Sequence, residues 1–324
     1  MPQNDATHTQ DLIERAAWAY YHDGVKQSEI ASQLQVSRAS VVNYLAEARA
    51  RGYVRVTMHP EVFSEHRLSA ELADALGLRS VLVVPDASNP HRSLKRVAKA
   101  VADWLPGLLG SEDSLGVSWG QTIFEVADAA SLAPIPGLTV VQLVGSLATP
   151  LGFAAETCSA NLARQFRANC INLHAPLVLS TPSLAQQLAQ EPVIAEQLVA
   201  VRSCNKTLFA AGSCGEDSHV VASGIVNRDQ LREFLRKGAT AVICGRFIDA
   251  DGVPITSEMD DRMIGVSLPD MQNKDLGLLV ASGPDRAGPA RAAIKGGYVT
   301  HLATCTKTAR ELLRITLGET GTSP

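Results

Sequence analysis

The stretch KQSEIASQLQVSRASVVNYLAEARAR, residues 26–51, has the apolar spacing of two short helices joined by a tight turn. Ile30, Ala31 and Leu34 fall on one face of the first helix, and Ser37 is a favourable N-cap for the second. We expect the inward stripe of the second helix to consist of Val41, Val42, Leu45 and Ala48. The sequence therefore predicts a helix pair in which the second helix presents its opposite side outward.

The outward side of this second helix is short, polar and basic near its N-terminus. Side chains of this kind donate to phosphates and base edges, which is what a recognition helix in a DNA groove requires. Gln35 stands at the turn position often held by glycine, so it must adopt a left-handed conformation at some cost. The alternative interpretation is an ordinary helix pair in an all-α domain.

The residues after the second helix favour the DNA-binding interpretation. Gly52 ends the helix, and residues 53–58 alternate like a short strand, which predicts a winged helix-turn-helix. Between residues 34 and 60 the chain carries four arginines and a single acidic residue, Glu47. The predicted DNA-contacting residues, for base reading or for phosphates, are Gln27, Ser37, Arg38, Ser40, Asn43, Tyr44, Arg49, Arg51 and Arg55.

Composition limits the class of protein. The chain has 324 residues, a formal net charge of -4 and 46% hydrophobic residues, so any contact with nucleic acid must come from a local basic patch. No apolar run approaches the roughly 20 residues of a membrane helix, and the N-terminus lacks the regions of a signal peptide. The six cysteines show no CxxC pair and no metal-ligand spacing, which indicates buried thiols in a reducing cytoplasm.

The domain organisation changes after the helix-turn-helix. We expect a DNA-binding domain at residues 1–60, a linker helix within 61–79 that Gly77 ends, and an effector and oligomerisation domain at 80–324. From residue 80, unbroken apolar runs alternate with helical segments, which predicts a doubly wound α/β domain with a mainly parallel sheet buried on both faces. The predicted strands are 81–84, 115–117, 139–143, 207–211, 241–244, 264–267, 276–281 and 299–304.

Ligands of such sheets bind beyond the carboxyl ends of the strands, so the turns there are candidate sites. GVSWGQT, residues 116–122, leads from a strand into a helix, where glycine backbone N–H groups, hydroxyls and the helix N-terminus favour an anion. Further glycine- and hydroxyl-rich turns follow at 144–149, 212–217 and 245–252, and Lys295 precedes the last strand. Together these turns predict a polar, phosphorylated ligand.

GVSWG also matches the G-x-S-x-G nucleophile elbow of α/β-hydrolases, with Asp249 and His301 following in triad order. Too few strands precede the motif for that fold, and His301 lies inside a strand pattern, which favours a core histidine. The dinucleotide fingerprint G-x-G-x-x-G is absent from these turns, which argues against a dehydrogenase.

The ordered motifs resemble the SorC family of sugar-binding transcriptional regulators over nearly the whole chain. They are the helix-turn-helix ending in ARGYVRV, then GVSWGQT, VVQLVGS, CGRFIDADGVPI, DRMIGVSL and LVASGPDRAGPARAAIKGGYVTHLAT. The resemblance implies an effector domain similar to the ribose-5-phosphate isomerase and glucosamine-6-phosphate deaminase fold. It also implies a phosphorylated sugar effector and a homodimer or homotetramer that represses transcription until the sugar arrives.

The resemblance further implies the positions of the effector site. Asp249 would bind sugar hydroxyls and Lys295 the phosphate, and the remaining implied residues are Gly116, Ser118, Gly120, Gln121, Thr122, Gly145 and Ser146. Some relatives carry a lysine in the VQL turn that bonds covalently to the sugar. The turn Val144-Gly145-Ser146 has no lysine, so we do not expect that mode here.

We therefore predict a cytoplasmic, non-enzymatic transcriptional regulator, a repressor of a carbohydrate or polyol operon. Its expected partners are double-stranded operator DNA and a sugar-phosphate or related carbohydrate effector, without a membrane, metal or cofactor. The alternative is a sugar-phosphate isomerase or deaminase with a DNA-binding head, in which Asp249 would be the base. A serine hydrolase using Ser118 is the third hypothesis.

Overall fold

The computed structural model describes residues 3–54, 59, 63, 66–147 and 153–318, with side chains from residue 8 onward. The chain divides into two compact units, residues 1–58 and 59–324. We describe each unit by itself.

The first unit consists, in its described part, of three helices: α1 (Gln3–Tyr21), α2 (Gln27–Gln33) and α3 (Arg38–Ala50). Its core buries Ala16 of α1, Ile30 of α2, and Val41 and Leu45 of α3. Ser37 is the N-cap of α3, because its hydroxyl accepts a hydrogen bond from the Ser40 amide at 3.0 Å.

Two details of this unit test the predictions from sequence. Gln35 has φ 53°, so the predicted left-handed turn residue is confirmed. Val42 is wrong as an inward residue, because its side chain is 46% exposed while Val41 and Ala48 are buried. Residues 55–58 of the predicted wing strand, including Arg55, lie outside the described residues.

The second unit begins, in its described helices, with α4 (Arg67–Leu76), which covers the later part of the predicted linker helix. Gly77 ends α4 in a left-handed conformation, and Leu72 is buried in the core of the unit. The main sheet has the strand order β1-β10-β9-β5-β2-β3-β4, and all of its pairs are parallel. The strands are β1 (Ser80–Val84), β2 (Ser114–Val117), β3 (Thr139–Gln142), β4 (Asn169–Ile171), β5 (Lys206–Phe209), β9 (Leu276–Ala281) and β10 (His301–Cys305).

Helices cover both faces of this sheet, so alternate residues of its central strands are buried on opposite sides. Val81 and Val83 of β1 belong to one hydrophobic cluster, whereas Leu82 and Val84 belong to the other. The predicted mainly parallel α/β fold is thus confirmed. The helices are α5 (Pro90–Trp104), α6 (Gln121–Ala129), α7 (Ala155–Phe166), α8 (Pro182–Gln190), α9 (Pro192–Ser203), α10 (His219–Ala222), α11 (Arg228–Arg236), α12 (Ala287–Lys295) and α13 (Thr306–Leu317).

A separate antiparallel sheet corrects part of the predicted strand list. It contains β6 (Ala211–Ser213), β7 (Ala241–Ile243) and β8 (Arg246–Ile248), so residues 241–244 do not extend the parallel sheet. The β7–β8 turn places Cys244 at φ 52° and Gly245 at φ 83°, the backbone of a tight hairpin with two left-handed residues. Gly265 forms an isolated bridge with Val144 in place of the predicted strand 264–267, and β4 was not predicted.

Over the described residues, every helix falls short of the length and apolarity needed to cross a membrane.

Candidate functional site

A cavity of about 350 Å³ lies beyond the carboxyl ends of β2, β5 and β9, which are neighbours in the main sheet. This is where the topology of a parallel sheet places ligands. The segments around it are far apart in sequence: the turn after β2, the β5–β6 region with α10, the β7–β8 hairpin, and the segment between β9 and α12. The polar residues among its lining are His91, Ser118, Gln121, Thr122, Ser213, His219, Ser282, Asp285 and Arg286.

The turn after β2 brings four of the predicted effector residues to this cavity. Ser118 is 2% exposed, and Gly120 has φ 98°, a conformation that glycine adopts without strain. Gly120 is also the N-cap of α6, and it supplies no side-chain cap for the first amides of that helix. Gln121 and Thr122 stand in the first turn. Such a helix N-terminus favours an anion or a polar oxygen in the cavity.

The segment Ser282-Gly283-Pro284-Asp285-Arg286 supplies charged groups that the prediction from sequence missed. Asp285 accepts a hydrogen bond from the Ser213 hydroxyl at 2.7 Å and pairs with the Arg286 guanidinium at 3.3 Å. Arg286 also donates to the Ala211 carbonyl at 3.3 Å, which holds its side chain beside the small sheet. The composition of this segment, small residues and glycine between a strand and a helix, is the same as in the turns that the sequence did single out.

Two polar atoms among the cavity-lining residues are buried without a hydrogen-bond partner within the described part of the chain. They are Nε2 of His219 and Oγ of Ser282. The His219 ring lies 4.7 Å from the Trp119 ring, and burial together with the nearby Arg286 charge lowers the pKa of His219. Because native proteins rarely leave buried polar atoms unpaired, these two atoms indicate a place where a ligand hydrogen-bonds.

Three other predicted effector residues do not line the cavity, and each has packing or hydrogen-bond contacts within the fold. Gly116 lies in β2, and a Cβ there would be 2.5 Å from the Leu143 side chain. A Cβ on Gly145 would be 2.6 Å from the Leu177 backbone, so glycine allows two chain segments to approach. The Ser146 hydroxyl donates to the Glu156 carboxylate at 3.2 Å.

Asp249 and Lys295 lie near the opposite end of α12 from Arg286. Nine residues of helix span about 13 Å, so the two ends are well separated. Lys295 pairs with Asp251 at 2.7 Å, while the Asp249 carboxylate accepts hydrogen bonds from the amides of residues 251 and 253, each at 2.9 Å. Neither side chain belongs to the cavity lining.

The residues of the proposed hydrolase triad do not come together. Ser118 follows the carboxyl end of β2, whereas His301 begins β10 at the amino end of the same parallel sheet. The His301 ring pairs with the Thr300 hydroxyl at 2.8 Å, and burial, with Arg79 and Lys206 nearby, lowers its pKa to about 4. His301 is therefore a structural histidine instead of a partner of Ser118, although its side chain is half-buried and lies outside the core clusters.

The predicted DNA-contacting residues have different surroundings within the first unit. Arg38, Asn43 and Arg49 are exposed on α3, and Arg51 is exposed but pairs with Glu47 at 2.8 Å. Ser37 and Ser40 hydrogen-bond to each other at 2.9 Å, which makes them part of the helix cap.

Tyr44 packs against the helix core instead of lying fully outward, and Gln27 is half-buried at the start of α2. Among the described residues there is no group of three or more side chains of the kind that ligate a metal.

Comparisons with known proteins fit this architecture. Residues 60–314 match the sequence model of the family described as "Putative sugar-binding domain". The chain is 29% identical to the transcriptional regulator YjhU of Escherichia coli K12, over 96% of both chains, and 29% identical to the deoxyribonucleoside regulator of Bacillus subtilis 168, over 94% of this chain and 97% of that one.

The full-length sorbitol operon regulator SorC of Klebsiella pneumoniae superimposes with a TM-score of 0.70 at 21% identity, covering 94% of this chain and 98% of that one, which shows a shared fold. The predicted resemblance to SorC-type regulators is confirmed. This chain belongs to the sugar-binding domain family, and it is a sugar-responsive regulator of transcription.

Proposed function

We propose that the chain is a repressor whose effector, a sugar phosphate, binds in the cavity beyond β2, β5 and β9. The observation that carries this proposal is the pair of unpartnered polar atoms, His219 Nε2 and Ser282 Oγ, in the same cavity as the Arg286 guanidinium. A polyhydroxylated ligand with one anionic group supplies partners for all three. The relatives named as regulators of deoxyribonucleosides and of a sorbitol operon support a ligand of this class.

The charges of the cavity suggest how such a ligand is oriented. Arg286 and the amides at the start of α6 would bind the phosphate, because arginine and helix N-termini both suit its oxygens. Asp285, Ser282 and His219 would bind hydroxyl groups of the sugar. This assignment transfers the phosphate from Lys295 to Arg286, since Arg286 lines the cavity and Lys295 does not.

A non-enzymatic role agrees with the placement of the candidate bases. Asp249 would be the base of an isomerase, but its Oδ1 atom accepts two backbone hydrogen bonds in its own turn. Binding alone explains a regulator, provided that the effector prefers one of two arrangements of a homodimer or homotetramer. The proposal places the protein in the cytoplasm with its operator DNA.

Calorimetric titration against a panel of sugar phosphates and free sugars tests the ligand class and its site. With a phosphate ligand, Arg286→Gln should weaken binding by about tenfold or more, because a charged hydrogen bond is worth roughly 1.5–3 kcal/mol. Lys295→Gln is the matched control and should stay within about twofold of the parent protein. Loss of binding in Lys295→Gln with intact binding in Arg286→Gln would contradict this site.

A second measurement tests the regulator itself. We expect a DNA duplex selected from a random library to bind the protein. The sugar phosphate should change the affinity for this duplex, and the duplex should change the affinity for the sugar phosphate by the same factor. Arg38→Ala should weaken binding of the duplex, whereas the sugar phosphate should still bind with the affinity of the parent protein. Turnover of the sugar phosphate, abolished by Asp249→Asn, would instead support the enzyme hypothesis.

A further inference from the structure

The exposed face of α3 has an apolar centre and polar edges. At about 100° per residue, Val42, Ala46 and Ala39 fall within about 60° of one another at the middle of the exposed arc. Arg38 and Arg49 lie along one edge of this arc, and Asn43 and Glu47 lie toward the other. All of these side chains are exposed, whereas Val41, Leu45 and Ala48 form the buried side.

Val42 is the largest apolar side chain at this centre, and it is not needed for the core of its unit. Its side chain is 46% exposed, and it lies outside the hydrophobic clusters that hold α1, α2 and α3 together. Its neighbours on the face, Ala39 and Ala46, are short, so they leave the valine methyl groups as the most protruding apolar surface.

The charged residues near this apolar patch are mainly basic, which suits a negatively charged partner. Described residues 34–54 carry Arg38, Arg49 and Arg51 against the single carboxylate Glu47, to which Arg51 is already paired. A basic edge beside a small apolar centre is complementary to duplex DNA, whose phosphates flank the groove. Within the major groove, the apolar group presented by the bases is the C5-methyl of thymine.

We infer that Val42 is a specificity-determining residue that contacts a thymine C5-methyl group in the operator. The position within α3 agrees, because recognition helices contact base edges with residues near their N-terminus and Val42 is the fifth residue of α3. This inference rests on the proposed function as a DNA-binding regulator. It adds an apolar contact to the polar ones that Arg38 and Asn43 would make.

A base-analogue experiment on the full chain tests the contact at the level of one methyl group. A duplex is first selected from a random library with the parent protein, and each thymine in it is then replaced singly by deoxyuridine, which lacks the methyl. One replacement should weaken binding by about fourfold, the effect of withdrawing a buried methyl group. In Val42→Ala the same replacement should have no effect.

Two comparisons make the result specific. Val193→Ala removes a valine that is even more exposed, 61% against 46% for Val42, from the other unit and should keep the full sensitivity to deoxyuridine. A duplex with no sensitive thymine, or an equal response in Val42→Ala, would overturn the contact while leaving DNA binding intact. Failure to select any duplex would instead remove the proposed function on which the inference rests.

Discussion

Gln35 adopts a left-handed backbone conformation, φ 53°, in the turn between α2 and α3. Its side chain is exposed, so the position contributes mainly through its backbone. Residues with a Cβ lose roughly 1–2 kcal/mol in this conformation, and glycine does not. The left-handed backbone at Gln35 therefore lowers the stability of the turn, and one substitution can remove this loss.

Gln35→Gly should raise the free energy of unfolding of the first unit by about 0.5–1 kcal/mol. Hydrogen exchange of the α2 and α3 amides measures this locally. Gln33→Gly, at the end of α2, is the control and should lower stability by up to about 1 kcal/mol, because helical glycine is unfavourable. If both glycines destabilised the unit equally, backbone strain at Gln35 would not be the cause.

At the level of single residues, the sequence predicted which kinds of side chain line the cavity better than it predicted which residues supply them. Ser118, Gly120, Gln121 and Thr122 follow directly from a strand-turn-helix pattern, and they line the cavity. The choice of Lys295 over Arg286 as the cationic residue depends on which end of α12 faces the cavity. That is decided by long-range packing, which local composition does not contain.

Among the elements, β9 shows how tightly two segments of the sheet approach. A Cβ on Gly277 would lie 2.2 Å from the Tyr298 carbonyl oxygen, and the residue 300 amide donates to the Gly277 carbonyl at 2.9 Å. Because the nearby atom belongs to the backbone, it cannot move aside cheaply.

Gly277→Ala should therefore destabilise the second unit by about 1–3 kcal/mol or more through overpacking, as measured by urea denaturation. Gly288→Ala is the matched control, since nothing lies within 4 Å of its added Cβ in α12. We expect that variant to be neutral or slightly stabilised. Equal losses in the two variants would argue that helix or strand propensity, not close approach, decides the outcome.

Strands were predicted correctly where a local apolar pattern was sufficient. The predictions failed where the pairing of a strand depends on residues distant in sequence. The runs at 81–84 and 276–281 are strands of the parallel sheet, but the equally apolar run at 241–244 pairs antiparallel elsewhere. In the predicted strand 264–267, Gly265 forms an isolated bridge, and its backbone, with φ 149°, lies close to the Leu143 carbonyl. Apolar runs indicate burial, whereas the identity of the neighbouring strand depends on the rest of the chain.

For the whole molecule, two half-buried histidines, His301 and His219, predict a dependence of stability on pH. The folded pKa of His301 is about 4, below the ordinary 6.5, because burial and two nearby cations disfavour the charged ring. Between about pH 4 and 6.5 the unfolded chain binds this proton and the folded chain does not. Folding stability therefore rises with pH through this window and is fully present above 6.5.

His301→Gln should reduce this acid sensitivity, which reaches at most about 3 kcal/mol for the parent group. The measurement is the free energy of unfolding by urea at pH 5 and at pH 7.5, compared between the two proteins. His219 has its pKa lowered in the same direction, so some dependence should persist in the variant. An unchanged difference between the two pH values would show that His301 does not titrate as its burial implies.

The ligand cavity is assembled from residues widely separated along the chain, such as Ser118 and Arg286. At ribosomal speeds of about 5–20 residues per second, roughly ten to thirty seconds of synthesis separate them. Helices α1, α2 and α3 leave the ribosome long before either. On the proposed function, a growing chain carries its DNA-reading helices well before it can detect sugar, because the effector cavity is complete only after Arg286 has been synthesised.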